Sequence, residues 1–350
     1  MSAAQETGGE VRRDGLHHVA PGREALIGSR GGRRPGRGGE LVPPAEFRSY
    51  YGRAVIKPPV WKAHNIAGYL FLGGVAGGAA LLAAGADLTG RPDMRRSARL
   101  IAAGATGLSL AVLIRDLGRP ERFLHMLRVV KPTSPMSIGT WLLVGFSPLV
   151  AAGVLDEASG LLPRRGAELA ALLGRPAGLA ASALAPAVTT YTGALIANTA
   201  VPAWHGAHRE LPYLFGASAL AAAGGLVAAA APAREAAPAR VAGIAGAVAA
   251  QLLDRAVHRR LGQLAEPLST GPSGRLLRTS RWCARAGLVL LAASVVRRSR
   301  ALDIAGGLAL AAESALTKFG YFHAGTASAA DPRYTVLPQR ERSAGPRQLP

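Results

Sequence analysis

From residue 61 onward the chain alternates long uncharged stretches with short charged ones. The first stretch, IAGYLFLGGVAGGAALLAAGA (66–86), runs for 21 residues without an ionisable acid or base. A helix at a soluble surface shows one apolar stripe, whereas this run is apolar on every face over about 20 residues, the length that crosses a bilayer core. Eight such runs are predicted as helices, at 66–86, 99–115, 138–155, 177–201, 211–231, 240–257, 282–297 and 301–318. The fourth has a plausible break at Arg175-Pro176, between an interfacial helix and the true span, and Pro186 would kink that span from inside. Only RRSR joins the last two, which forces a tight antiparallel pair. One long span across both is excluded, because three arginines at mid-bilayer are costly.

The pattern divides the chain into three parts. Residues 1–60 are rich in Gly, Arg and Pro (GSRGGRRPGRGGELVPP), have little to bury, and read as a disordered tail. Residues 61–320 form an all-α, polytopic transmembrane domain, and residues 321–350 form a C-terminal tail. An even number of spans places both termini on one face. The loops carry twelve arginines and lysines on each face, so only Arg48, Arg53, Lys57, Lys62 and Lys318 tip the positive-inside balance, toward cytoplasmic termini.

Composition narrows the chemistry. The net charge of +20 coexists with 49% apolar residues because basic residues gather at the ends of the runs and in the tails. With 5% aromatic residues and no interleaving of bases with aromatics, the charge does not read as a nucleic-acid face. The single cysteine, Cys283, excludes an intrachain disulfide, a structural zinc site and a cysteine-ligated iron–sulfur cluster in this chain. None of the eight histidines falls at the centre of a run, so a haem held between spans is not expected. His205 and His208 in WHGAHRE are three apart, but two ligands do not make a metal site. No nucleophile elbow, phosphate loop, zinc-protease or dinucleotide motif is present in context.

Polar residues inside the runs carry more information. The overlapping pairs Gly73/Gly77 and Gly74/Gly78 read as close helix packing. Glu313, deep in the last run, would cost at least about 2.5 kcal/mol if left charged and unpaired. It is either a proton-handling group or a carboxylate neutralised by an arginine of a neighbouring helix. Thr189, Thr190 and Thr192 read as hydroxyls that bond their own helix. Tyr191 among them offers a phenol able to hydrogen-bond a quinone carbonyl. The segment RDLGRPERFLHMLRVVKPTSPMS (115–137) holds five basic residues, two acids and a histidine between two apolar runs. Arginines anchoring at the interface explain part of that charge.

Four segments together resemble the NrfD/PsrC-type family, the membrane subunits of polysulfide reductases and related molybdoenzymes. They are VWKAHNIAGYLFLGGVAGG, RDLGRPERFLHMLRVVKPTSPMSIGTW, YTGALIANTAVPAWHG and TKFGYFHAGTASAADPRYTVLPQRER. Their order and spacing cover about residues 50–345. The resemblance implies eight transmembrane helices in two four-helix bundles in a bacterial plasma membrane. It implies a bound, exchangeable menaquinone or ubiquinone, with no haem and no iron–sulfur cluster in this chain. The partners it implies are a four-cluster ferredoxin-like iron–sulfur subunit and a molybdopterin catalytic subunit, besides membrane lipid, with no nucleic acid. The family's quinone tyrosine on the fourth span matches Tyr191. On the first span a family histidine falls on Tyr69, while His64 and Asn65 lie out of register, so either Tyr69 donates in its place or His64 reaches in. The acidic residue closing the second span matches Asp116, which with Arg115 and Glu313 forms a candidate proton path. Arg119, Arg122, Arg128 and Lys131 would then dock the iron–sulfur subunit. The competing classes are a secondary transporter, for which no matching pair of interrupted spans is found, and a purely structural anchor.

Overall fold

The computed structural model of the protein describes residues 55–57, 59, 61–117, 119 and 121–343. Residues 1–54, and with them most of the segment read as a disordered tail, lie outside the described residues. Eight long helices are present among the described residues. They are α1 (Ala63–Leu88), α2 (Pro92–Asp116), α3 (Pro135–Glu157), α4 (Arg164–Ala197), α5 (Leu211–Ala230), α6 (Ala237–Leu261), α7 (Gly271–Arg297) and α8 (Arg300–Ala330). Each covers one predicted run, but α2, α4 and α7 begin well before theirs and α8 continues well past its own. Helices α1–α5 are long and apolar enough to cross a membrane by length and composition. Helices α6–α8 carry more internal charge, including Arg240, Asp254, Arg285, Asp303 and Glu313.

Helices α1–α4 pack as one four-helix bundle, with α1 against α2 and α4, and α3 against α2 and α4. Helix α5 packs against α6 and, through Gly225 and Gly307, against α8. Helix α7 joins them along α6 and along α8 at Gly287 and Leu310. Helix α5 also lies against α1 and α4, so it is the element that ties the two bundles together. The small-residue pairs on α1 explain how. A Cβ at Gly74 would overlap Ala219 of α5, one at Gly78 would overlap Ala223 of α5, and one at Gly77 would overlap Thr189 of α4. One pair thus packs on α5 while the other divides between α2, at Gly73 and Ser109, and α4, and backbones that close gain dispersion contacts without the help of water.

One expectation is corrected. Helix α4 runs unbroken from Arg164 to Ala197 with Pro176 and Pro186 both inside it. Each proline removes a single backbone hydrogen bond, whereas unwinding the segment would expose several polar groups to lipid. The threonines behave as expected: Thr189 and Thr190 donate to the Pro186 carbonyl at 2.9 and 2.7 Å, and Thr192 donates to Thr189. Between α7 and α8 the turn is as tight as foreseen, with Arg298 in the left-handed region at φ 46°.

The faces of the molecule differ. On the face opposite the C-terminal end of α8, arginines meet acids. Arg95 bridges Asp87 and Glu157, Arg99 pairs with Asp156 and Glu157, Arg175 with Asp87, and Arg234 with Asp93. Arg240 and Asp303 form a buried two-point pair at 2.7 and 2.6 Å, with Ser294 donating to the same carboxylate. On the other face, where α8 ends, Trp204 is buried against Trp61 and Phe322 and donates from Nε1 to the Tyr321 carbonyl at 2.7 Å. The residues after Ser328 cluster as a separate small unit, in which Asp331 pairs with Arg333 at the start of α9 (Arg333–Ser343).

Candidate functional site

The candidate site lies at one end of the first bundle, where α1 and α3 begin and α2 and α4 finish. Asn65 and Tyr69 are four apart on α1 and therefore share a helix face. Tyr69 is buried, and its carbonyl accepts from Ser109 of α2 at 3.5 Å. Asn65 donates from Nδ2 to Asp116 Oδ1 at 2.6 Å, joining the first turn of α1 to the last residue of α2. Tyr69 stands six residues into α1 and Tyr191 six residues before the end of α4. At 1.5 Å per residue both lie about 9 Å below the same face.

Tyr191 is held by what α3 lacks. Its ring lies against Gly139, where any Cβ would overlap the ring carbons. The phenol is buried and its hydroxyl has no hydrogen-bond partner among the described residues. Such a group costs about 1–3 kcal/mol in a folded protein, so its retention calls for an explanation outside the fold. A carbonyl acceptor brought by a ligand would satisfy it.

The structure does not bring every candidate together. His64 and Arg115 are exposed, while Tyr69 and Tyr191 are buried and Asn65 and Asp116 half-buried. Glu313 belongs to the second bundle, and no hydrogen-bonded chain joins it to Asp116 among the described residues. Of its two readings, neutralisation by an arginine of a neighbouring helix finds no such arginine in its hydrogen-bond shell among the described residues. Ser218 of α5 and Thr317 donate to its carboxylate at 3.4 and 3.2 Å. The cation nearby is Lys318, which the hydropathy pattern places at the very end of the last run. Helix α8 continues to Ala330, so Lys318 is buried, donating to Ser218 and Ser314 at 3.0 Å and to the Phe215 carbonyl at 3.3 Å.

A cavity of about 10 Å³, near the minimum for one water, touches Glu313, Thr317, Ser280, Gln251, Asp254 and Arg281. Asp254 accepts from the Tyr321 hydroxyl at 2.8 Å and pairs with Arg281 at 3.3 Å. Sequence reasoning missed Lys318, Asp254 and Arg281 because each lies at or close to the end of an apolar run, where a charge reads as interfacial. The four-residue spacing of Asp254 and His258 on α6 was the one available signal.

The loop between α2 and α3 presents Arg119, Arg122, Arg128 and Lys131 to the exterior, together with Leu124, Val129 and Val130. None of those four cations has an ion pair among the described residues. Ser137 fixes the Pro-Thr-Ser-Pro turn: its hydroxyl accepts from the Lys131 amide at 3.0 Å and donates to the Val129 carbonyl at 3.2 Å. His205 and His208 stack 5.5 Å apart, and each places a ring nitrogen against a backbone carbonyl.

A family model described as polysulphide reductase, NrfD, matches residues 55–251, more than half of the chain. The matched region holds the whole first bundle, helix α5 and most of α6. No curated protein matches the chain.

Proposed function

The chain belongs to the polysulphide reductase NrfD family, and from that premise we propose that it is the quinone-reactive membrane subunit of a molybdopterin oxidoreductase complex. The observation that carries the reading is the buried, unpartnered hydroxyl of Tyr191. It supports a ligand carbonyl at that point, and in this family setting the ligand is menaquinone or ubiquinone. The quinone supplies two-electron, two-proton redox chemistry. Tyr191 donates a hydrogen bond that orients one carbonyl, and Gly139 keeps space for its ring. Tyr69 lines the same depth on α1 and excludes water from the headgroup. Asn65 holds Asp116 at the rim, where the carboxylate can exchange a proton with the face that also bears Arg115. His64 is exposed and takes no part in holding the headgroup.

The basic loop 119–131 docks a four-cluster ferredoxin-like iron–sulfur subunit, itself bound to the molybdopterin subunit. In this reading the chain carries no electron centre of its own, so electrons pass directly between the partner's last cluster and the quinone. The second bundle holds its buried polar network, Glu313 with Ser218, Thr317 and Lys318, as a proton-holding site. The protein would sit in a bacterial plasma membrane with cytoplasmic termini.

Tyr191→Phe tests this in the assembled complex. Quinone-linked turnover is expected to fall at least tenfold, the scale of one lost buried donor, while turnover with a soluble dye that takes electrons from the partner stays unchanged. Normal quinone-linked turnover in the variant would reduce the chain to a structural anchor. Solute movement by the chain alone, without partner subunits, would make it a transporter.

A further inference from the structure

With α7 taken as a span, as the eight-span reading has it, it carries an arginine at a depth where lipid is the surrounding medium. Arg297, Arg298 and Arg300 mark one edge of the bilayer at the α7–α8 turn. A hydrocarbon core of about 30 Å takes about 20 helical residues from there, to roughly residue 277. Arg285 falls inside that span, about 18 Å from the turn, and it faces outward. Its guanidinium lies over the ring of Trp282, 4.9 Å from the centroid. Trp282 is itself 66% exposed. No carboxylate pairs with Arg285 among the described residues.

Neighbouring positions extend the feature. Arg278 lies seven residues before Arg285 and so shares its face of α7. It is exposed and donates to the Ser269 carbonyl at 3.1 Å. Helix α6 packs alongside, in register fixed by Arg281 against Asp254 and His258. That register sets exposed Arg255 level with Trp282 and exposed Arg259 level with Arg278. The nearest carboxylate on α6, Asp254, is already engaged by Arg281 and Tyr321. The outer flank of α6 and α7 is thus a cationic strip that begins at the interface and reaches into the hydrocarbon.

An arginine at this depth is costly unless something anionic meets it, its head snorkels to the interface or the bilayer deforms around it. We propose that this flank is a binding site for an acidic phospholipid, whose phosphate is drawn down to Arg285 and Arg278 while its acyl chains lie along Val289 and the apolar end of α7. Charge complementarity and depth select the occupant. Cations spread over several turns from the interface inward match a headgroup phosphate that can move along the bilayer normal. Trp282, about 8 Å inside the edge near residue 277, puts an aromatic face against the Arg285 guanidinium on its lipid side.

The test uses the full-length protein in mild detergent, with native mass spectrometry reading the binding of added phosphatidylglycerol, cardiolipin or phosphatidylcholine. The wild type should prefer the two acidic lipids. The triple variant Arg255→Gln, Arg278→Gln, Arg285→Gln should lose about fivefold per arginine, on the order of a hundredfold. Arg165→Gln, exposed on the other face, should bind as the wild type does. The corresponding triple lysine variant keeps the charge and should keep most of the binding. Equal loss in the lysine and glutamine variants, or no loss in either, overturns the proposal. So does a photoreactive phenylalanine analogue at position 282 that captures a polypeptide rather than lipid in native membranes.

Discussion

At the scale of single residues, the site depends as much on an absent atom as on a present one. Tyr191 can turn its ring toward α3 only because position 139 has no Cβ. Gly139→Ala is therefore expected to act at a distance from any ligand. Overpacking should cost about 1–3 kcal/mol, read as a lower midpoint of thermal unfolding in detergent, and the displaced phenol should cut quinone-linked turnover. Gly104→Ala, where nothing lies within 4 Å of the new Cβ, should change neither. Lys318 and Glu313 make the same point for charge. They are five positions apart on one helix, and Ser218 of α5 is hydrogen-bonded to both, so a residue on another element completes the arrangement.

At the scale of elements, helix ends are where this fold commits its charges. The Arg240–Asp303 pair joins the first turns of α6 and α8 in a setting almost closed to solvent, with side chains 3% and 1% exposed. Removing one partner of a buried pair leaves the other charge uncompensated, which typically costs about 3–5 kcal/mol. Arg240→Met should lower the unfolding midpoint sharply, and Arg240→Met combined with Asp303→Leu should recover much of the loss. If the double variant is no better than the single one, the pair does not hold these helix ends together. The same scale explains the continuity of α4. Its two prolines were legible as possible breaks, but whether a proline ends a helix depends on what the freed backbone would meet. Here the surroundings are lipid and packed helices rather than water.

At the scale of the whole molecule, equal numbers of loop arginines on the two faces conceal unequal fields. On one face Arg95, Arg99, Arg175, Arg234 and Arg240 meet carboxylates. On the face where α8 ends, the α2–α3 loop keeps its cations free of ion pairs among the described residues. Complementary charge mainly raises the association rate. Replacing Arg119, Arg122, Arg128 and Lys131 together by glutamine should slow capture of the iron–sulfur subunit at least tenfold at low salt. The difference from wild type should shrink as ionic strength rises, as measured by surface-based kinetics on the reconstituted protein. An unchanged association rate would remove this loop from the docking surface.

Sequence alone determined the membrane character, the places of the long helices though not the limits of α4, α7 and α8, the glycine-mediated packing and the candidate standing of Tyr191. Each follows from local facts: long apolar runs, small residues four apart, and one phenol in an uncharged run. Tertiary structure alone decided which of these residues meet. It paired Asn65 with Asp116, set Tyr191 against Gly139, left His64 and Arg115 outside, and placed Glu313 in a different bundle from Asp116. It also drew Lys318 into the core and left Arg285 facing outward. The physical reason is that burial of a side chain depends on its rotation about the helix axis and on the neighbour at that height. Hydropathy along the chain averages over both.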